Sequence, residues 1–103
     1  MIRHIVLWRF LPGAEGGTKE ENIRKAKAML DALPRSIPEI ISFETGIGVL
    51  HEDRSFDLAL SGTFDSVAAL EAYQRHPEHV SVVKFLRKVQ SEKSVADYAI
   101  SPP

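Results

Sequence analysis

The residues in this chain whose types and spacing could do chemistry lie together in the stretch EAYQRHPEHV, positions 71 to 80. Tyr73, His76 and His79 surround Pro77 there. A neutral imidazole, with an unperturbed pKa of about 6.5, can take a proton from a carbon acid or a hydroxyl near neutral pH. A phenol can donate a hydrogen bond to a developing enolate oxygen. The pair Tyr73 and His79 therefore suits an aldol-type ring closure or an enolisation that uses neither a metal nor a nucleotide.

Two other interpretations of the same stretch stay open. A histidine beside a proline at a helix start often satisfies free backbone groups, and an inward tyrosine is usually a core residue. On that view Tyr73 and His79 close a helix joint, and His76 is a cap or a solvated residue. His76 and His79 also have the i, i+3 spacing of metal ligands. Because Pro77 lies between them and the spacing is common by chance, we predict no metal site.

Two helical regions are predicted to position these residues. The first begins with the capping box TKEE, in which Thr18 is the N-cap and Glu21 follows three residues later, and it ends before Pro34. The second is predicted to begin at Asp65 as its N-cap and to break at Pro77, a residue well suited to the first position of a new helical segment. Its inward side chains are predicted to be Val67, Leu70, Tyr73, Val80, Val83 and Leu86.

Four apolar or alternating stretches read as strands, over Ile2 to Leu11, Ile40 to Leu50, Phe56 to Phe64 and Ser94 to Ile100. Gly46 and Gly48 in the second stretch mark a bulge or a close approach of two backbones. The order β-α-β-β-α-β is the ferredoxin-like plan of the α+β class, an antiparallel sheet with both helices on one face. A length of 103 residues suits one domain, which we place at residues 1–103.

The first strand is largely apolar on both of its faces. His4, Val6, Trp8 and Phe10 share one face, and Ile5, Leu7 and Arg9 share the other. Two helices cover only one face of a sheet, so the other face is expected to pack on a second copy of the chain. This pattern predicts a homodimeric α/β barrel.

The composition argues against several classes of partner. Thirteen basic and 14 acidic side chains give a formal charge of −1, so no positive surface indicates nucleic acid or an anionic membrane. There are no cysteines, which excludes disulfides and thiolate chemistry. The segments GIG and GAEGG lack the Lys and Ser/Thr of a phosphate loop, and we predict no cofactor. The N-terminus does not resemble a signal peptide, so we expect a cytoplasmic protein.

Several other polar and aromatic residues are candidates for the site or for ion pairs. His4 and Trp8 share a face, and both reach a cavity between sheet and helices if the helices lie on that face. Trp8 could then form an aromatic wall for a flat substrate or for oxygen chemistry. Asp57 and Asp97 are expected to form ion pairs between strands or across the interface, with Arg9 as a candidate partner. His51, in the polar turn LHEDRS, reads as a solvated residue.

Three segments together resemble the stress-responsive dimeric α/β-barrel (Dabb) family: IRHIVLWRF, FDLALSGTFDSVAALEAYQRHPEHVSVVKFL and SVADYAI. The similarity extends over nearly the whole chain, and its middle segment is the most specific part. The resemblance implies the ferredoxin-like fold and a homodimer whose sheets meet face to face. It implies no single reaction.

Olivetolic acid cyclase, a plant polyketide cyclase related to that family, carries its chemistry on a tyrosine and a histidine of the Y…HP.H block. The resemblance implies that Tyr73 and His79 are the matching residues and that His4 matches a histidine of its first strand. A further pocket histidine of that enzyme falls at about Leu58, which makes the pocket of this chain less polar.

The leading hypothesis is a small-molecule site between sheet and helices, lined by His4, Trp8, Tyr73 and His79, with Leu58 added by the resemblance. If the site is catalytic, His79 is the base, Tyr73 donates to the oxyanion, and the reaction is a cofactor-free cyclisation or isomerisation of a small carbonyl or polyketide-like compound. Two alternatives remain: a non-enzymatic stress protein that provides oligomeric stability or ligand sequestration, and a cofactor-independent monooxygenase using Trp8. The sequence leaves open whether the protein is an enzyme.

Overall fold

The first strand of the chain lies inside a four-stranded antiparallel sheet in the computed structural model, which describes residues 1–101; Pro102 and Pro103 lie outside the described residues. The strands are β1 (Ile2–Phe10), a two-residue hairpin of β2 (Gly13–Ala14) and β3 (Gly17–Thr18), β4 (Ser42–Ile47), β5 (Leu58–Phe64) and β6 (Gln90–Ala99). The helices are α1 (Lys19–Asp31), a 3-10 turn (Leu33–Arg35), α2 (Val67–Arg75) and α3 (Pro77–Val89).

The main sheet has the strand order β4-β5-β1-β6, and every neighbouring pair is antiparallel. Leaving aside the short hairpin, the chain runs β-α-β-β-α-β with the second helical region divided into α2 and α3. The predicted ferredoxin-like plan of the α+β class is therefore confirmed. This order places β1, which carries His4 and Trp8, between β5 and β6.

The first helix begins as its sequence predicts. The Thr18 hydroxyl accepts a hydrogen bond from the Glu21 amide at 3.1 Å, and the Glu21 carboxylate accepts one from the Thr18 amide at 2.9 Å. Both bonds satisfy donors that would otherwise be free at a helix start, which is the reciprocal geometry of a capping box. Ile23, Ala26 and Leu30 then face the sheet and are buried.

Three details of the second helical region differ from the prediction. The N-cap is Ser66, not Asp65: Ser66 has an extended backbone, and its hydroxyl accepts from the Ala69 amide at 3.1 Å. Val67 was expected to point inward but is 55% exposed, because the helix starts one residue later and this position faces outward. Val80 is 40% exposed as well, and Val82 takes the buried position on α3.

Strand bounds also differ from those expected. β4 and β5 are shorter than their apolar stretches, and β6 begins at Gln90, four residues before the predicted start at Ser94. The predicted close approach occurs at Gly48, whose amide donates to the Asp57 carbonyl at 2.8 Å. A Cβ at Gly48 would collide with the carbonyl oxygen of Phe56, so this turn requires glycine for space.

The two faces of the sheet have different environments. His4, Val6, Trp8 and Phe10 of β1 lie under the helices and are buried. They pack with Leu60, Phe64, Leu30, Leu70, Tyr73, Leu86 and other members of one core cluster. On the opposite face Ile5 and Leu7 stay half-buried in the single chain, because no helix covers them. The outer face is the one that the sequence assigns to a second copy.

Candidate functional site

A cavity of about 250 Å³ lies between the sheet and the helices. Its apolar walls are Val6, Trp8, Leu30, Leu60, Val82, Val83, Leu86 and Val95. Its polar and charged lining is His4, Tyr73, Gln74, His79, Arg87, Gln90 and Lys93. The helices lie on the face of β1 that carries His4 and Trp8, so four residues predicted for one site line this cavity.

His79 is oriented by the break between α2 and α3. His76 adopts an extended backbone there, and Pro77 begins α3, which places His79 on the first turn. The Nδ1 atom of His79 lies 3.1 Å from the carbonyl oxygen of Gln74, in the last turn of α2. Because a carbonyl oxygen only accepts, Nδ1 must carry the proton. Nε2 is then the nitrogen that has a free lone pair in the neutral ring.

The surroundings of His79 favour that neutral form. Burial lowers the pKa of His79 from 6.5, and the charges of Lys93, His4 and His76 lower it further. The hydrogen bond to the Gln74 carbonyl acts in the opposite direction, and the net shift is downward. A neutral imidazole at pH 7 is the form that can accept a proton.

Tyr73 packs directly against His79. The ring centroids are 4.4 Å apart, and Tyr73 also contacts Phe64 at 5.0 Å and Phe43 at 6.0 Å. Only 1% of the residue is exposed. Burial raises the pKa of the Tyr73 phenol well above its usual 10.0, so the hydroxyl keeps its proton and acts as a donor.

His4 forms a second polar pair in the same cavity. Its Nδ1 lies 2.5 Å from a carboxylate oxygen of Asp97, which stands opposite His4 in the register of β1 and β6. A carboxylate accepts the hydrogen bond from the Nδ1 proton and fixes the ring orientation, so Nε2 is the ring nitrogen left free to contact a ligand. The His4 ring lies edge-on to Tyr73, with centroids 6.2 Å apart.

Both Trp8 and Leu58 were predicted to contact a ligand, but the structure places only Trp8 at the cavity. Trp8 lines the cavity and is 3% exposed; within residues 1–101 its buried indole Nε1 has no hydrogen-bond partner. Leu58 stands opposite Trp8 in the register of β1 and β5 and is buried, but it is not among the cavity-lining residues. Its side chain belongs to the core beside the site.

Sequence reasoning did not assign Lys93, Arg87 or Asp97 to the site, although Lys93 and Arg87 line the cavity and Asp97 holds His4. Asp97 forms an ion pair between strands, as expected, but its partner is His4; Arg9, the candidate partner, pairs with Glu92 at 3.2 Å. Lys93 lay outside the predicted last strand, which began one residue later. Strand alternation could have identified the two residues of β6 from the sequence. Every second residue of β6 faces the helices once Asp97 is paired with His4, and this set comprises Lys93, Val95 and Asp97.

The remaining histidines lie outside the cavity. His76 accepts a hydrogen bond from the Glu78 amide at 3.1 Å and is the N-cap of α3, which confirms one of its predicted roles. His51 is exposed in its loop, as expected. Among residues 1–101, no three His, Asp or Glu side chains are grouped as metal ligands would be.

The fold and the cavity define the class of this protein: it is a ferredoxin-like α+β protein with a small cavity, partly lined by polar side chains, between its sheet and helices. Residues 2–100 match the family model of the stress-responsive A/B barrel domain, Dabb, and the chain belongs to that family. No curated protein matches the chain. In the described part of the chain, no helix has the length and apolar character needed to cross a membrane.

Several solved structures are similar over almost the full length. A dimeric protein of unknown function from Bacteroides fragilis shares 27% identity, with 96% of this chain and 95% of that chain covered and a TM-score of 0.84. A dimeric ferredoxin-like protein from Thermobifida fusca shares 23%, with coverages of 96% and 90% and a TM-score of 0.83. A hydroxynitrile lyase from Passiflora edulis shares 24%, with coverages of 99% and 94% and a TM-score of 0.81.

Proposed function

We propose that the cavity binds a small carbonyl compound and that the protein catalyses its cofactor-free cyclisation or isomerisation. The observation that carries this proposal is the hydrogen bond from His79 Nδ1 to the Gln74 carbonyl. Because Nδ1 donates this bond, Nε2 is the nitrogen that can act as a base, and the ring lies next to the protonated phenol of Tyr73. A positioned base and a positioned donor at one cavity are the parts that an enolisation needs.

In the proposed reaction, Nε2 of His79 removes a proton from the carbon next to the substrate carbonyl. The C–H electron pair moves toward the carbonyl, and the Tyr73 hydroxyl donates a hydrogen bond to the oxygen as negative charge develops there. Isomerisation follows when the enolate is conjugated with a carbon–carbon double bond, because the imidazolium can then return the proton to the far carbon of that double bond. Cyclisation follows when the enolate carbon attacks a second carbonyl of the same molecule, and the imidazolium protonates the new alkoxide.

His4 and Asp97 support this chemistry as a second polar contact for the substrate. The carboxylate of Asp97 holds the His4 ring in one orientation at 2.5 Å, and the ring is 5% exposed. Nε2 of a ring held this way is free to form a hydrogen bond with an enol or hydroxyl group of the substrate. The similar structure from Passiflora edulis is a hydroxynitrile lyase, so this fold accommodates an enzyme.

The proposed assembly is a homodimer through the outer face of the sheet. Ile5 and Leu7 lie half-buried at its centre, and Tyr98 is exposed beside them on β6. Similar structures from Bacteroides fragilis and Thermobifida fusca are described as dimeric. We expect Leu7→Glu to dissociate the dimer in sedimentation experiments, whereas Ala28→Glu on the exposed side of α1 leaves it intact. A monomeric wild-type protein would contradict this assembly.

The catalytic proposal is tested by deuterium exchange. The probes are 4-phenyl-2-oxobutanoate and its neutral amide, both of which carry exchangeable protons at C3, next to the ketone. Wild-type protein in D₂O is expected to accelerate exchange of at least one probe, and His79→Asn is expected to abolish the acceleration. His51→Asn is the matched control, because it removes an exposed histidine outside the cavity. Binding of both probes without exchange would favour ligand sequestration and overturn the catalytic proposal.

A further inference from the structure

The cavity has a cationic side that the proposed proton transfer does not use. Lys93 of β6 and Arg87, in the last turn of α3, both line it. Lys93 stands opposite Trp8 in the strand register, so its side chain lies on the helix-covered face of the sheet. The two cations therefore reach the same cavity from different elements.

Six lysines and arginines within residues 1–101 have a carboxylate partner within 4 Å, and these two cations are among those that do not. Lys19, Lys27 and Lys88 each lie within 4 Å of a carboxylate oxygen. Over residues 1–101, neither Lys93 nor Arg87 forms an ion pair, and the cavity lining contains no Asp or Glu. Two neighbouring positive charges without a counter-charge repel each other, and a bound anion would remove that repulsion.

The charge environment of Lys93 agrees with this geometry. Partial burial lowers the pKa of Lys93, and the neighbouring Arg87 lowers it further. The charge of Lys93 also lowers the pKa of His79, so the ammonium is electrostatically coupled to the proposed base. An anion held by Lys93 would thus offset a charge that acts on His79.

The rest of the cavity sets the character of the ligand body. Eight of the fifteen lining residues are apolar, and Trp8 contributes a flat aromatic surface. A volume of about 250 Å³ suits a small molecule rather than a chain or a nucleotide with several phosphates. The lining therefore combines one cationic side with an apolar interior.

We propose that the ligand of this cavity is a small organic acid, whose carboxylate binds Lys93 and Arg87 while its apolar body packs against Trp8 and the aliphatic wall. The inference deepens the proposed function, on which it rests for the position of the reacting carbon. With the carboxylate at Lys93, the carbonyl group lies beside the contacting rings of His79 and Tyr73. Lys93 is a specificity-determining residue in this arrangement, and it moves no proton.

The test compares binding of 4-phenyl-2-oxobutanoate with binding of its amide by calorimetry, in wild-type protein, Lys93→Met, Lys93→Arg and Lys84→Met. Lys84→Met is the matched control, because it removes the same charge from an exposed position of α3 outside the cavity. Wild-type protein is expected to prefer the acid over the amide. Lys93→Met should weaken the acid about tenfold and leave the amide unchanged, since a charge-assisted hydrogen bond is lost. Lys93→Arg and Lys84→Met should keep the preference.

Equal affinity of wild-type protein for acid and amide would overturn the inference, as would tight binding of the acid to Lys93→Met. These outcomes are separable from failure of the proposed function. If the acid binds through Lys93 but no C3 exchange occurs, the anion site stands and the catalytic proposal fails. If exchange depends on His79 but both probes bind alike, the catalytic proposal stands and the anion site fails.

Discussion

Replacing His79 with asparagine separates its two roles, because the two nitrogens of the ring have different partners. The amide nitrogen of asparagine occupies nearly the position of Nδ1, so it can still donate to the Gln74 carbonyl, which lies 3.1 Å from Nδ1 in the wild type. No atom of asparagine takes the place of Nε2. The substitution therefore deletes the proposed base and retains the bond that orients it.

The expected magnitudes follow from those contacts. The retained hydrogen bond is worth about 1 kcal/mol, and loss of the ring contact with Tyr73, at 4.4 Å between centroids, costs about 1 kcal/mol. We expect His79→Asn to lower the free energy of unfolding by about 1 kcal/mol and His79→Ala, which loses both contacts, by about 2 kcal/mol. Loss of a general base should slow catalysis by about 10² to 10⁴, or roughly 3 to 5 kcal/mol of barrier.

The measurements are urea unfolding for stability and the initial rate of C3 deuterium exchange for catalysis. Both variants should lose exchange to the same extent although they differ in stability, because both lack Nε2. An exchange rate of His79→Asn within threefold of wild type would refute the assignment of His79 as the base. A loss of exchange that follows unfolding, with His79→Ala much slower than His79→Asn, would assign the residue to the helix joint.

Three further results are expected. Burial lowers the pKa of His79 in the folded chain, so the unfolded chain binds more protons between the folded pKa and 6.5. The neutral His79 ring therefore makes its full contribution to the free energy of unfolding above pH 6.5. That contribution is lost as the pH falls through the folded pKa. An NMR titration of the His79 ring should accordingly have its midpoint below 6.5, and a midpoint at or above 6.5 would contradict the burial argument. Gly48→Ala should cost about 1 to 3 kcal/mol in urea unfolding, because its Cβ has no room, and Gly46→Ala, with open space around it, should cost less. Ser66→Ala should cost about 1 kcal/mol and Asp65→Ala much less, and the reverse order would reassign the N-cap of α2.

Features that depend on neighbours within one helical turn were predictable from sequence. The capping box of Thr18 and Glu21 and the break at Pro77 each require only residues that are three or four positions apart. The N-cap of α2 was predicted one residue too early, at Asp65, because aspartate and serine are equally good caps and the two residues are adjacent. Only the observed bond to the Ser66 hydroxyl distinguishes them.

The ferredoxin-like order could also be read from the chain, since alternation and helical spacing identify each element and few topologies accommodate their sequence. Tyr73, His79, His4 and Trp8 were identified as site candidates from residue type, parity and family resemblance. Their roles stay predictions, but the structure brings all four to one cavity.

The sequence by itself therefore determined the elements, their order and which residues of β1 share a face. Only the tertiary structure decided the partners. His4 meets Asp97 across 93 positions of sequence, and Lys93 faces the cavity because the register of β1 and β6 places it opposite Trp8. A shift of one residue in that register would turn both side chains to the outer face. Register is set by packing of the whole sheet, which no local pattern in β6 specifies.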